Sequence, residues 1–213
     1  MSQGDAASLY DRLAPVYDIW GRLTESKARN RCLELASIKR GESVLEVAVG
    51  TGLAFEQLVQ TNPTGRNTGI DISRGMLSRA EHRLRKAGLS NFQLSSASAT
   101  EIPEPDSSFD VLLNNYMFDL LEEGLWPAVL REFLRVLRPD GRLVLANMTI
   151  GEYWGSGIYQ RLYKLSPRLM GGCRPVQMSG PLEKHGFTVQ LREYCQQMLF
   201  PSEIILAIRS SAL

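Results

Sequence analysis

The residues best spaced for chemistry are Glu46, Gly50, Gly52 and Asp71. The segment VLEVAVGTG, residues 44–52, is an apolar run that carries one acid, Glu46, and breaks into Gly50-Thr51-Gly52. Glycines belong in a tight strand-to-helix turn whose backbone must approach a ligand with no Cβ in the way. Asp71 follows 19 positions after Gly52, at the end of a second apolar run. There a carboxylate can accept hydrogen bonds from both hydroxyls of a ribose. Turn plus acid describes an adenosine site. A dinucleotide fingerprint needs a third glycine where Phe55 stands, which argues against a pyrophosphate and so against a dehydrogenase. Glu46 would be an odd neighbour for a diphosphate, and it suits a ligand with a cationic amino group. The methionine part of S-adenosylmethionine is such a ligand.

These residues need strands and helices to hold them. Apolar clusters of strand length alternate with amphipathic stretches of helix length, the pattern of a mostly parallel sheet covered by helices. The spacing predicts strands over 44–47, 68–70, 92–94, 111–113 and 143–146. Two further strands, 188–194 and 204–209, are expected to close the sheet as an antiparallel hairpin around Phe200-Pro201-Ser202. Ser73 is placed to cap a helix in which Met76, Leu77, Ala80, Leu84 and Ala87 recur at helical spacing, with Gly88 at its end. Another helix is expected over 126–137, after which Arg138-Pro139-Asp140-Gly141 should turn the chain into the next strand. A short helix near 181–185 stops at Gly186. Residues 150–178 are rich in aromatics, glycine and basic residues, without a clean period, and read as an excursion over the sheet.

Bulk properties narrow the field. A chain of 213 residues fits one sizeable domain. A formal net charge of +1 and 44% hydrophobic residues point to neither nucleic acid nor an anionic membrane as a standing partner. Cys32, Cys173 and Cys195 are far apart and the histidines number two, so no zinc site, other metal site or disulfide framework is expected. The opening MSQGDAASLYDRLAPVYD has acids and no apolar run, and no stretch approaches the ~20 apolar residues that span a bilayer. A reducing, cytoplasmic protein is expected, monomeric or homodimeric.

The chain resembles the class I S-adenosylmethionine-dependent methyltransferases, and is similar to those of ubiquinone and menaquinone biosynthesis and to small bacterial phospholipid N-methyltransferases. The residues that carry the likeness are YDRLAPVYD (10–18), VLEVAVGTG, GIDISRGML (69–77), ATEIPEPDSSFDVLL (99–113) and LREFLRVLRPDGRLVL (130–145). The resemblance implies an α/β, Rossmann-like doubly wound sheet of seven mostly parallel strands, with a C-terminal antiparallel hairpin and an insertion, about 150–178, over the active site. It implies a single domain: 1–40 a helical cover, 41–149 the cofactor core, 150–213 the substrate lid and closing hairpin.

It also assigns the cofactor, S-adenosyl-L-methionine, to residues. The backbone of Ala48, Gly50, Thr51 and Gly52 would face the methionine part together with Glu46, and Asp71 would hold the ribose. Ile72 and Met76 would pack against adenine, with Ser98 and Ala99 at its edge and Asn114 near the amino acid end. Tyr10 and Tyr17 would cover the cofactor. Ala48 stands where the usual pattern has a glycine, which is tolerable with a negative φ, and Ser98 replaces a common aspartate.

Methyl transfer from a sulfonium is an in-line displacement, so alignment and exclusion of water are the main requirements. Asn114, Asn115, Tyr116 and Asp119 follow the fourth strand at its carboxyl end, where ligands bind in open α/β sheets. Tyr116 and Asp119 are the candidates for contacting the acceptor. Tyr153, Trp154, Tyr159 and Tyr163, with Arg161, Lys164 and Arg168, compose a lid suited to a small, amphiphilic or lipid-like acceptor: a lipid amine, a quinone precursor or a natural product. Peripheral membrane contact is compatible with such a substrate. A cofactor-binding module without turnover is the alternative reading.

Overall fold

A computed structural model describes residues 24–150, 173–198 and 200–210. Most of the expected N-terminal cover, with Tyr10 and Tyr17, and most of the expected lid lie outside these residues.

The first described helix, α1 (Ser26–Ala36), precedes a sheet whose strands are β1 (Ser43–Val47), β2 (Arg66–Asp71), β3 (Gln93–Ser96), β4 (Phe109–Asn115), β5 (Leu137–Met148), β6 (Phe187–Gln197) and β7 (Phe200–Arg209). The order is β3-β2-β1-β4-β5-β7-β6. The first five strands run parallel, and β7 is antiparallel to both of its neighbours. Helices α2 (Leu53–Thr61), α3 (Arg74–Lys86), α4 (Trp126–Val136) and α5 (Ser179–Lys184) complete the α/β architecture. No described helix is long and apolar enough to cross a membrane.

Strand chemistry follows position. In β1 every residue after Ser43 is buried, because a central parallel strand is covered on both faces. Edge strand β6 instead alternates buried or half-buried with exposed residues over most of its length. The two faces have separate cores. Val44 of β1 and Val111 and Leu113 of β4 pack with Ala28, Cys32, Phe55 and Leu84. Leu45, Val47 and Leu112 pack on the other side with Phe118, Trp126, Val129 and Phe133. The period of two therefore turns Glu46, like Val44, toward the face that α1 covers.

Two expected turns differ. Leu137 already pairs with Phe109, and pairing resumes at Val111 with Arg142, so Arg138–Gly141 form a break in register within β5. The four residues bulge where a free turn was expected, because strand pairing begins directly at the end of α4. The hairpin reverses between Gln197 and Phe200, ahead of Phe200-Pro201-Ser202, which are themselves paired in β7. The Ser73 cap is present: its hydroxyl accepts from the Met76 amide at 3.1 Å. Gly88 and Gly186 both take positive φ just beyond a helix end.

Candidate functional site

Strand order reverses direction between β1 and β4, which places a crevice at their carboxyl ends. One cavity occupies it. Its wall includes Glu46, Ala48, Gly50, Thr51, Asp71, Ile72, Met76, Ser98 and Ala99 of the expected cofactor residues, and Tyr116 of the expected acceptor residues. Gly52 sits just behind the wall. At φ +82 it opens α2, and a Cβ there would lie 2.9 Å from Ala80 Cβ, so only glycine lets α2 start against α3.

Asp71 holds the turn together. One carboxylate oxygen accepts from the Gly50 amide at 2.8 Å, and the other accepts from the Ser73 amide at 2.8 Å. The acid thus ties the glycine turn to the start of the next helix while facing the cavity. In a dinucleotide site, amides of such a turn would be offered to phosphate. Here one of them is already taken by a carboxylate, and a second carboxyl, Glu46, stands in the same cavity.

Glu46 is 2% exposed. Its Oε1 accepts one long hydrogen bond from Asn115 Nδ2 at 3.5 Å, and its Oε2 has no partner among the described residues. Burial pushes its carboxyl up to about 8, with Asn115 and Arg29 pulling the other way. An unsatisfied buried carboxyl is costly and matches a ligand that brings N–H donors and positive charge. A cationic amino acid group beside a ribose is such a ligand, so these residues fit S-adenosylmethionine. Ile72, Met76, Ala97 and Ala99 add an apolar patch to the same wall.

Ala48 departs from the expectation. Its φ is +61, in the left-handed region, so the residue in the glycine's place does not escape by a negative φ. A left-handed non-glycine residue costs on the order of 1–3 kcal/mol. Ser98 lines the cavity, but its hydroxyl is engaged with Thr100, at 2.7 Å from the Thr100 hydroxyl.

The acceptor side is rearranged relative to the sequence reading. Asn114 is fully buried and does not line the cavity; its amide donates to the Val47 carbonyl at 2.9 Å. Asn115 takes that place. Asn115 shares strand parity with Val111 and Leu113, which face the α1 side, whereas Asn114 has the opposite parity. Asp119 is also off the wall. Its Oδ2 accepts from the Met148 amide at 3.0 Å and its carbonyl accepts from the Arg174 amide at 3.0 Å, so it fastens the returning chain to β5. Burial raises its carboxyl to about 7. Tyr116 stands on the wall at φ +55, but its hydroxyl is shared with the Ser202 hydroxyl at 2.9 Å, and burial pushes it well above the usual phenol range.

Sequence reasoning missed Glu25 and Arg29. They line the cavity from α1, 6% and 7% exposed. The Glu25 carbonyl accepts the Arg29 amide at 3.0 Å, and the four-residue spacing brings both side chains to one face. In sequence, such a pair in a polar stretch reads as a solvated face. Met117, Leu120, Leu121 and Val129 complete an apolar wall.

Known proteins resemble this chain. A model described as a methyltransferase domain matches residues 44–141. The demethylmenaquinone methyltransferase of Thermus thermophilus is 30% identical over 159 residues, covering 73% of this chain and 71% of its own. The protein of the same name from Listeria welshimeri is 31% identical over 140 residues, 63% of this chain. The match spans 58% of that relative's length. Among solved structures, the [4+2]-cyclase SpnF has a TM-score of 0.78 at 18% identity, covering 97% of this chain and 96% of its own, a likeness of fold.

Proposed function

This chain belongs to the class I S-adenosylmethionine-dependent methyltransferases, and from that premise we propose that it transfers a methyl group to a small acceptor with an apolar body. Of the lipid amine, quinone precursor and natural product classes, we infer the quinone precursor, because the sequence relatives are named for demethylmenaquinone. The observation that carries the proposal is the buried, half-satisfied Glu46 carboxyl in one cavity with Asp71. It provides for a cation and a ribose side by side.

Bound S-adenosylmethionine supplies an electrophilic methyl on a sulfonium. The chain's own contribution is placement. Glu46 and Asn115 receive the amino acid end, Asp71 the ribose hydroxyls, and Ile72 and Met76 the adenine. Met117, Leu120, Leu121 and Val129 exclude water and seat the acceptor's apolar body. Proximity and orientation of this kind can account for ~7–11 kcal/mol of such a barrier. Of the initial candidates for acceptor chemistry, Tyr116 lines the cavity, whereas Asp119 holds the wall from behind.

Calorimetric titration with S-adenosylhomocysteine tests the cofactor part. Micromolar binding that Asp71→Ala removes is the expected result. A native protein that binds nothing would contradict the proposal.

A further inference from the structure

The acceptor half of the cavity contains one carboxylate that cofactor placement does not use. Glu25, at the start of α1, is 6% exposed and lines the cavity. It shares that wall with Tyr116, Met117, Leu120 and Leu121. We propose that Glu25 is the base that takes the O–H proton of the hydroquinone-type acceptor. This rests on the methyltransferase reading above and names the group that makes its substrate reactive.

The chemistry balances. The hydroquinone O–H proton passes to the Glu25 carboxylate, leaving a phenolate whose electron density lies partly on the neighbouring ring carbon. That carbon's electron pair forms the new bond to the methyl as the methyl–sulfur bond breaks; the dienone oxygen then takes back the proton held by Glu25, the freed carboxylate takes the ring C–H proton, which restores the aromatic hydroquinone, and Glu25 releases that proton to solvent as the product leaves. No oxidant or reductant is consumed. A phenolic O–H is a weak acid near neutral pH, so a carboxylate beside it speeds formation of the phenolate.

The groups around Glu25 suit the role. Arg29 lies one turn along its own helix. Asp119 and Tyr116 follow β4, and Cys173 begins the returning segment. Burial raises the Glu25 carboxyl to about 7, with the Asp119 charge adding to the rise and Arg29 opposing it. A base that titrates near neutrality is well matched to its task.

The test is steady-state kinetics on the full chain with reduced demethylmenaquinone, from pH 5.5 to 9, for native protein, Glu25→Gln and Glu25→Asp. The native kcat should rise with pH through about 7, as the carboxylate forms. Glu25→Gln should lose roughly 10²- to 10⁴-fold in kcat and the rising limb with it. Glu25→Asp should keep the limb and part of the rate. S-adenosylhomocysteine affinity should stay within about twofold in both variants, which also shows that they fold. A Glu25→Gln protein with native kcat and pH profile would overturn the role of Glu25 while leaving the acceptor reading in place. A native protein that binds S-adenosylhomocysteine yet never methylates the hydroquinone would overturn the acceptor reading and this proposal together.

Discussion

The two halves of the cavity are built in different ways. The cofactor half comes mainly from one stretch of chain, Glu46 to Met76, in which a strand, a turn and a helix start are fixed by local geometry and by the Asp71 carboxylate. The acceptor half is assembled from α1, the segment after β4 and one residue of α4, which lie far apart in sequence. The first is polar and densely hydrogen-bonded. The second is mostly apolar, with one buried carboxyl. A turn built locally keeps its geometry through short-range bonds, whereas the acceptor wall depends on segments brought together from distant parts of the chain.

The sharpest way to break this contrast is Asp71→Ala. It removes two charge-assisted hydrogen bonds that order the turn, each worth about 1.5–3 kcal/mol, as well as the proposed ribose partner. Affinity for S-adenosylhomocysteine should fall by roughly a hundredfold or more by calorimetry. Acceptor-side packing should stay intact. Leu121→Ala probes the other half. Loss of part of a leucine contact, on the order of 1 kcal/mol, should raise the acceptor KM about five- to tenfold and leave S-adenosylhomocysteine affinity unchanged. Equal losses in both parameters would mean that the halves are not separable.

Stability against pH sharpens the contrast further. Glu25, Glu46 and Asp119 are raised by burial to about 7, 8 and 7. Their folded values lie above the unfolded ones, so between about pH 4.5 and 8 the folded state holds more protons. Stability must then fall as pH rises across that window. Glu42, Glu132 and Glu193 are lowered by their arginine partners and Asp110 by the Ser43 amide together with Arg138, so their contribution is lost only below the ordinary carboxylate range. Thermal melts of the ligand-free protein should therefore show Tm declining from pH 5 to 8, with a shallower decline in Glu46→Gln. S-adenosylhomocysteine, whose amino group favours the charged Glu46, should flatten the native curve in the same way.

The smallest effect is expected at the turn itself. Ala48→Gly relieves a left-handed alanine, a gain partly offset by glycine's larger unfolded-state entropy. A net gain of up to about 1 kcal/mol would raise Tm by roughly 2–4 °C in a chain of this size. Little change in cofactor affinity should accompany it.

Legibility in sequence follows the same division. Strand alternation, the Ser73 cap and the Glu46-to-Asp71 spacing are short-range features, and all are present as read. Asn114 and Asn115 were separable only by strand parity, which turns one asparagine into the sheet and the next into the cavity. Asp119 has the composition of an acceptor contact, yet its neighbours Met148 and Arg174 arrive from distant parts of the chain and claim it for structure. Glu25 and Arg29 lie in a polar helix, and nothing local says that a cavity lies beneath them. The Arg138–Gly141 turn became a bulge because pairing with Phe109 starts earlier than turn chemistry alone implies.

The proposed pairing of a methyl donor and an apolar acceptor in one cavity is tested most directly by transfer of labelled methyl from S-adenosylmethionine across a panel of reduced demethylmenaquinone, lipid amines and phenolic natural products. Label appearing in the reduced demethylmenaquinone, and lost in Asp71→Ala, is the predicted result. Saturable binding of S-adenosylmethionine with no label in any acceptor would contradict it and make the chain a cofactor-binding module.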